Sequence, residues 1–250
     1  MNIIHIITRS DTLAGAQVHV RDLSIAQLGL GHEVTVLVGQ SGPFTDELQK
    51  HGISYYCLRH LVRNINPYID FKAFLELLTI IRTLNPDLVA THSSKAGWLG
   101  RVAARLLGIP SIFTAHGWGF TEGVPDLSRK IYATAERIAA PFANRIITVS
   151  EYDRQLALRN KIASPKKIVT IHNGVYDTSS RLVSASPNTP LRMIKVARFD
   201  IPKNHALLFK ALVGLPSRNW HLDLIGDGPL RRPMEELASE LGINKHVTFL

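Results

Sequence analysis

The chain has 250 residues, 45% of them hydrophobic and 20% charged, which supplies apolar material for one large or two ordinary α/β domains. It carries 29 Lys+Arg against 20 Asp+Glu, a net charge of +9, and such a balance selects anionic partners. The cations are scattered, and Trp98, Trp118 and Trp220 do not interleave with them. Nucleic acid is therefore not expected, and a phosphorylated ligand or an anionic membrane surface is.

The opening MNIIHIIT is apolar but short, is interrupted by His5 and follows no cationic segment, so it predicts a strand and not a signal peptide. No run reaches the length of a transmembrane helix, and the single cysteine, Cys57, fits a reducing, cytoplasmic setting. Short β-branched runs follow in order: Ile3–Thr8, Val34–Val38, Ile53–Cys57, Leu88–Thr91, Ile112–Thr114, Ile146–Val149 and Ile168–Ile171. Amphipathic stretches lie between most of them, at Ala16–Leu28, Phe71–Leu84, Ala96–Leu107, Leu127–Ala140 and Tyr152–Leu158. Apolar runs of this kind, each with a crossover helix, predict a doubly wound parallel sheet over residues 1–171. The polar segment 172–191, rich in Ser, Asn, Thr and Pro, reads as a linker. A second series then begins at 192: strand Met193–Ala197, helix Ala206–Val213, strand Leu222–Ile225, helix Pro229–Leu241 and the run Val247–Leu250. It predicts a second Rossmann-like domain that is incomplete, loosely held and exposed at an apolar edge.

Ligands of open α/β sheets bind beyond the carboxyl ends of the strands, so the loops there carry the chemistry. After the first strand, TRSDTLAGAQVHV lacks a dinucleotide fingerprint, yet Gly15 would let a ligand approach the backbone beside Gln17 and His19. After the fourth, THSSKAGWLG offers Ser93 or Ser94 as a helix cap and leaves His92 and Lys95 over, at one crevice edge. After the fifth, His116 stands between the strand and the bulk-free Gly117 and Gly119, which suits ligand contact. In the second series, Arg198 and Lys203 occupy a strand-to-helix turn, where fixed cations and helical N–H groups seat a phosphate. The loop Gly226-Asp227-Gly228-Pro229 would join them, with Pro229 in the first turn of the next helix. No Asp-x-Asp, C-x-x-C, H-E-x-x-H, Walker loop or nucleophile elbow is present. No metal and no cofactor are expected, and the basic loop residues would neutralise a diphosphate.

The ordered set AGAQVHV, HSSKAGWLGR, FTAHGWGF, VSEYDR, IHNGV, RFDIPKNH and IGDGP resembles family 4 glycosyltransferases of the GT-B type, closest to bacterial enzymes of capsule, exopolysaccharide and lipopolysaccharide synthesis. The resemblance implies two Rossmann-like domains facing a cleft. It also implies metal-free, retaining transfer of a sugar from a nucleotide diphosphate sugar to a lipid-linked or saccharide acceptor, at the inner face of the membrane. On that resemblance Arg198, Lys203 and the loop Gly226, Asp227 and Gly228 bind the donor, with Gly15 near its phosphate or sugar. Gln17, His19, His92 and Lys95 fall on the acceptor side, and His116 acts at the donor sugar. A donor phosphate oxygen helps to deprotonate the acceptor, so no protein nucleophile is implied. Ala14-Gly15 stands where the family has Gly-Gly, and the family's paired glutamates of the second domain are absent from these 250 residues. Two alternatives follow: a binding module that transfers nothing, or a sugar-nucleotide epimerase on the same fold. The epimerase would call for carboxylates on the first domain's crevice loops, where only Asp11 and Glu122 lie.

Overall fold

The computed structural model describes residues 1–175 and 190–250, so most of the expected linker over 172–191 lies outside the described residues. The chain divides into two compact units, Met1–Tyr176 and Asp177–Leu250.

In the first unit the strands are β1 (Asn2–Ile7), β2 (Glu33–Val38), β3 (Ser54–Cys57), β4 (Leu88–His92), β5 (Ser111–Ala115), β6 (Arg145–Thr148) and β7 (Ile168–Thr170). The helices are α1 (Gly15–Gly29), α2 (Pro43–Lys50), α3 (Pro67–Leu84), α4 (Ser94–Leu106), α5 (Asp126–Ala139) and α6 (Glu151–Arg159). Every strand pairing is parallel, in the order β3-β2-β1-β4-β5-β6-β7, so the strand order reverses between β1 and β4. The central strands β1, β4 and β5 are buried on both faces, as parallel sheets require. Ile4 and Ile6 of β1 pack with Ala73, Leu77 and Ala103 of α3 and α4, while Ile7 packs with Val20, Phe44 and Leu48 of α1 and α2. His5 points to this second face, toward α1.

Local chemistry sets the ends. Asn66 accepts from the Tyr68 and Ile69 N–H groups ahead of α3, Pro67 needs no partner there, and Asn85 ends the helix in the left-handed region at φ 42°. Helix α2 has no counterpart among the expected elements. It is only two turns long, begun by Pro43 and by Thr45 Oγ1 bonding both the N–H and the carbonyl of Gly42, and so short a segment has weak periodicity. Helix α4 lies unusually close to the sheet. A Cβ at Gly97 would fall 2.7 Å from the Phe113 ring, and one at Gly100 2.7 Å from Thr91 Cγ2.

The second unit contains β8 (Leu191–Val196), α7 (His205–Val213), β9 (Trp220–Ile225), α8 (Arg231–Glu240) and β10 (Val247–Phe249), in the parallel order β10-β9-β8. One face holds Met193, Leu222, Leu224 and Val247 against Phe209, Leu212 and Ala238 of the helices. On the other face of β8, Ile194 and Val196 are 65% and 71% exposed. That face of β8 is thus apolar and exposed, while the opposite face carries a packed cluster of the unit's own. The helix expected from Pro229 begins at Arg231, because the Leu230 N–H is engaged by the Phe199 carbonyl and holds the turn against the end of β8.

Candidate functional site

Four histidines meet where the strand order of the larger sheet reverses. β1 and β4 are neighbours with Ile7 opposite His92, so the side chains of His5 and His92 share the face toward α1. His116 follows β5 by one residue, and the chain turns away at Gly117, whose φ is 125°. Trp118 and Phe120 anchor that loop: both are buried and stacked on each other, and the Trp118 Nε1–H donates to the Asp153 carbonyl at 2.9 Å. His19 comes in from the second turn of α1, with its ring centroid 5.0 Å from that of His116 and 5.9 Å from that of His92.

Hydrogen-bond direction passes along the chain of rings. His5 Nε2–H donates to Gln27 Oε1 at 2.7 Å, which leaves His5 Nδ1 to accept from His92 Nε2–H at 3.0 Å. His92 Nδ1 then accepts from His116 Nε2–H at 3.1 Å, and the lone pair of His116 Nδ1 is left over. Burial, against the hydrogen bond to Gln27, lowers the His5 pKa to about 4. Burial, then the charge of His19, lowers that of His116 to about 4 as well. His92 is pushed well below the ordinary histidine value by burial and then by its three neighbouring rings. Burial lowers His19 too, opposed by the charge of Asp22. All four rings are therefore neutral at ordinary pH.

The other residues anticipated on this unit separate from the cluster. Gln17 is buried, and its Nε2 donates to the Arg9 carbonyl at 3.1 Å, fixing the loop after β1. Lys95 does not share an edge with His92; its ammonium turns to the Asp70 carboxylate and the Asn64 carbonyl. There it borders a cavity of about 600 Å³ with Arg63, Trp98, Phe120 and Tyr132. Ser93 precedes α4 at φ 76° but caps nothing, because its hydroxyl bonds Thr8 Oγ1 at 3.1 Å. Gly15 is the first residue of α1, and a Cβ there would meet nothing within 4 Å. Asp11 is taken up by Arg9 at 2.9 Å.

In the second unit the glycine loop meets the end of β8 through the backbone. The loop 226–228 lies on the chain leaving β8, where a Cβ at Gly226 would fall 2.3 Å from the Ala197 carbonyl oxygen and one at Gly228 2.5 Å from that of Phe199. The Phe199 N–H donates to the Asp227 carbonyl, and the Asp227 carboxylate accepts from the Gly228 N–H. Arg198 is two-thirds exposed, with a 3.7 Å contact to Asp200, and Lys203 ends a short 3-10 turn, Ile201–Lys203, ahead of α7. Lys195 Nζ donates to the Lys203 carbonyl at 2.7 Å, and its pKa is lowered by burial and then by the Lys203 charge. Lys195, His5 and Gln27 carry no role expected from the sequence. For His5 the signal was a polar residue inside an apolar strand; Lys195 and Gln27 gave none.

A family model described as Glycosyltransferase Family 4 matches residues 13–178, and one described as Glycosyl transferases group 1 matches residues 178–250. The UDP-Gal:alpha-D-GlcNAc-diphosphoundecaprenol alpha-1,3-galactosyltransferase of Escherichia coli is 33% identical over 144 residues, which are 57% of this chain and 37% of that protein. The O-antigen biosynthesis glycosyltransferase WbnH of Escherichia coli is 23% identical over 249 residues, covering 100% of this chain and 69% of its own length. The crystal structure of Anabaena Alr3699/HepE in complex with UDP superposes with a TM-score of 0.76 at 19% identity, over 100% of this chain and 69% of that one. The match to the galactosyltransferase thus spans little more than a third of that relative.

Proposed function

Since the chain belongs to Glycosyltransferase Family 4, we propose that it serves the transfer of a sugar from a nucleoside diphosphate sugar to a lipid-linked saccharide acceptor in bacterial surface polysaccharide synthesis. The observation that carries this reading is the meeting of Lys195 and Lys203 at the carboxyl end of β8, with Arg198 on the turn that leaves the strand. Lys195 and Lys203 repel each other there, and a diphosphate would relieve that repulsion. As the glycosidic bond breaks, the departing nucleoside diphosphate gains charge, and cations already in place stabilise it most in the transition state. The transfer proceeds with retention and without a metal bridging the diphosphate, the three cations taking that part. A donor phosphate oxygen receives the acceptor's proton, and His116 offers a neutral imidazole to the donor sugar. The names of the relatives support the acceptor class, since the galactosyltransferase of Escherichia coli is named for a diphosphoundecaprenol substrate.

A membrane-borne acceptor also fits the surface of α5. Leu127, Ile131 and Ile138 are exposed along one face of that helix, flanked by the exposed Lys130 and Arg137. Among the described residues no helix is long and apolar enough to cross a membrane, so attachment would be at the surface.

Calorimetric titration with UDP tests the donor site. Arg198→Ala, Lys203→Ala and Lys195→Ala should each weaken binding by about 1.5–3 kcal/mol, the range for hydrogen bonds to charged groups. Unchanged isotherms in all three would make them ordinary surface cations.

A further inference from the structure

His19, His92 and His116 come from α1, β4 and the loop after β5, and each offers a ring nitrogen within 4.8 Å of the others. His92 Nδ1 and His116 Nε2 face each other at 3.1 Å. In a tetrahedral zinc site with Zn–N bonds of about 2.0–2.1 Å, two imidazole nitrogens stand about 3.3 Å apart. An ion can therefore replace the proton between these two rings if they tilt and part by a few tenths of an ångström. The displaced proton of His116 moves from Nε2 to the free Nδ1, so the ring stays neutral. His19 is half-buried on a helix surface, and side-chain rotation brings its nitrogen in as a third ligand.

We propose that these three histidines form a site for one divalent transition-metal ion, best suited to Zn²⁺. An all-imidazole set disfavours the oxygen-seeking Mg²⁺ and Ca²⁺ and fits zinc, with water completing the tetrahedron.

Two further features belong to such a site. Metal-bound histidines usually donate their other N–H to a buried acceptor, and His92 Nε2–H does so to His5 Nδ1, itself fixed by Gln27. His5 is thus a supporting residue and not a ligand, since both of its nitrogens are engaged. The second feature is access. His19 borders a cavity of about 250 Å³ that also takes in Asp22, one turn along α1, whose carboxylate offsets part of a dipositive charge. Occupation would take up His19 and His116, so zinc would act as an inhibitor of the proposed transfer and not as its helper. The site itself rests on the cluster alone and stands or falls independently of the transfer reading.

The test is uptake of Zn²⁺ by the untagged 250-residue chain in competition with a chromophoric chelator, with circular dichroism confirming that each variant is folded. One equivalent should bind. His19→Ala, which alters a helix surface, and His116→Asn should each weaken it at least about 10-fold, and Gln27→Ala by about 10-fold to 100-fold through the supporting hydrogen bonds. His51→Ala, at an exposed histidine paired with Glu47, should change nothing. X-ray absorption should show a shell of nitrogen and oxygen only. No stoichiometric uptake, equal affinity in both His19→Ala and His116→Asn, or sulfur from Cys57 in the shell would overturn the proposal.

Discussion

Replacing Glu136 should unsettle the first unit by an amount that the structure allows to be worked out. Arg101 of α4 is fully buried; its Nη2 donates to Glu136 Oε2 of α5 at 2.9 Å and its Nε to the Gly97 carbonyl at 2.6 Å. The guanidinium lies 4.1 Å over the Phe113 ring, and Nη1 finds no partner among the described residues. Burial pushes the Arg101 pKa down and Glu136 holds it up, so the carboxylate is what keeps this buried charge tolerable. Breaking a buried pair from one side costs about 3–5 kcal/mol. The cavity that reaches Glu136 admits water and argues for the lower end. Glu136→Ala should therefore cost about 3 kcal/mol, or about 6–12 °C in Tm for a unit of this size. Glu136→Gln keeps an acceptor oxygen for Nη2 but not the counter-charge, so it should cost less than Glu136→Ala and more than a lost neutral hydrogen bond, about 1.5 kcal/mol or above. In the double variant Arg101→Met with Glu136→Leu the unpaired charge is gone, and much of the loss should be recovered. Differential scanning calorimetry is the assay. A Glu136→Ala transition within about 2 °C of the wild type would refute the reasoning, as would a double variant no more stable than Glu136→Ala.

Three further outcomes are expected. Gly228→Ala places a Cβ against the Phe199 carbonyl at a φ of +154°, which no side-chain motion can relieve; the second unit should lose about 1–3 kcal/mol while the transition of the first stays put, and an unchanged second transition would count against the loop's close approach. Gly15→Ala meets open space, so stability should hold or rise, by about 0.4–1 kcal/mol, while donor turnover falls; a drop in Tm would show that the glycine is structural. Flotation with anionic liposomes should recover the chain at low salt and progressively less as salt screens the attraction, and Ile131→Asp should weaken recovery; equal recovery with neutral liposomes would sink the surface-attachment reading.

The alternation of strands and helices could be read from the sequence because it is written in local periods. Apolar runs such as Ile3–Ile7 and amphipathic stretches such as Phe71–Leu84 need no distant partner to be recognised. The Gly226-Asp227-Gly228 loop and the pair Arg198 and Lys203 were recognisable for the same reason, being turn chemistry beside a strand end. What local pattern could not contain is which strand ends lie side by side. His5 and His92 are 87 residues apart, and His92 and His116 are 24 apart. They become one hydrogen-bonded chain only because the sheet sets β4 between β1 and β5. The same holds for Lys95, which looks free in its own loop but is claimed by Asp70, 25 residues earlier on a neighbouring helix. It holds too for Lys195, whose side chain leaves its strand to join Lys203. Sequence periodicity determined the elements and the loops that could carry chemistry. Tertiary packing decided which of those side chains meet, because a buried polar group must find its partner across space and not along the chain.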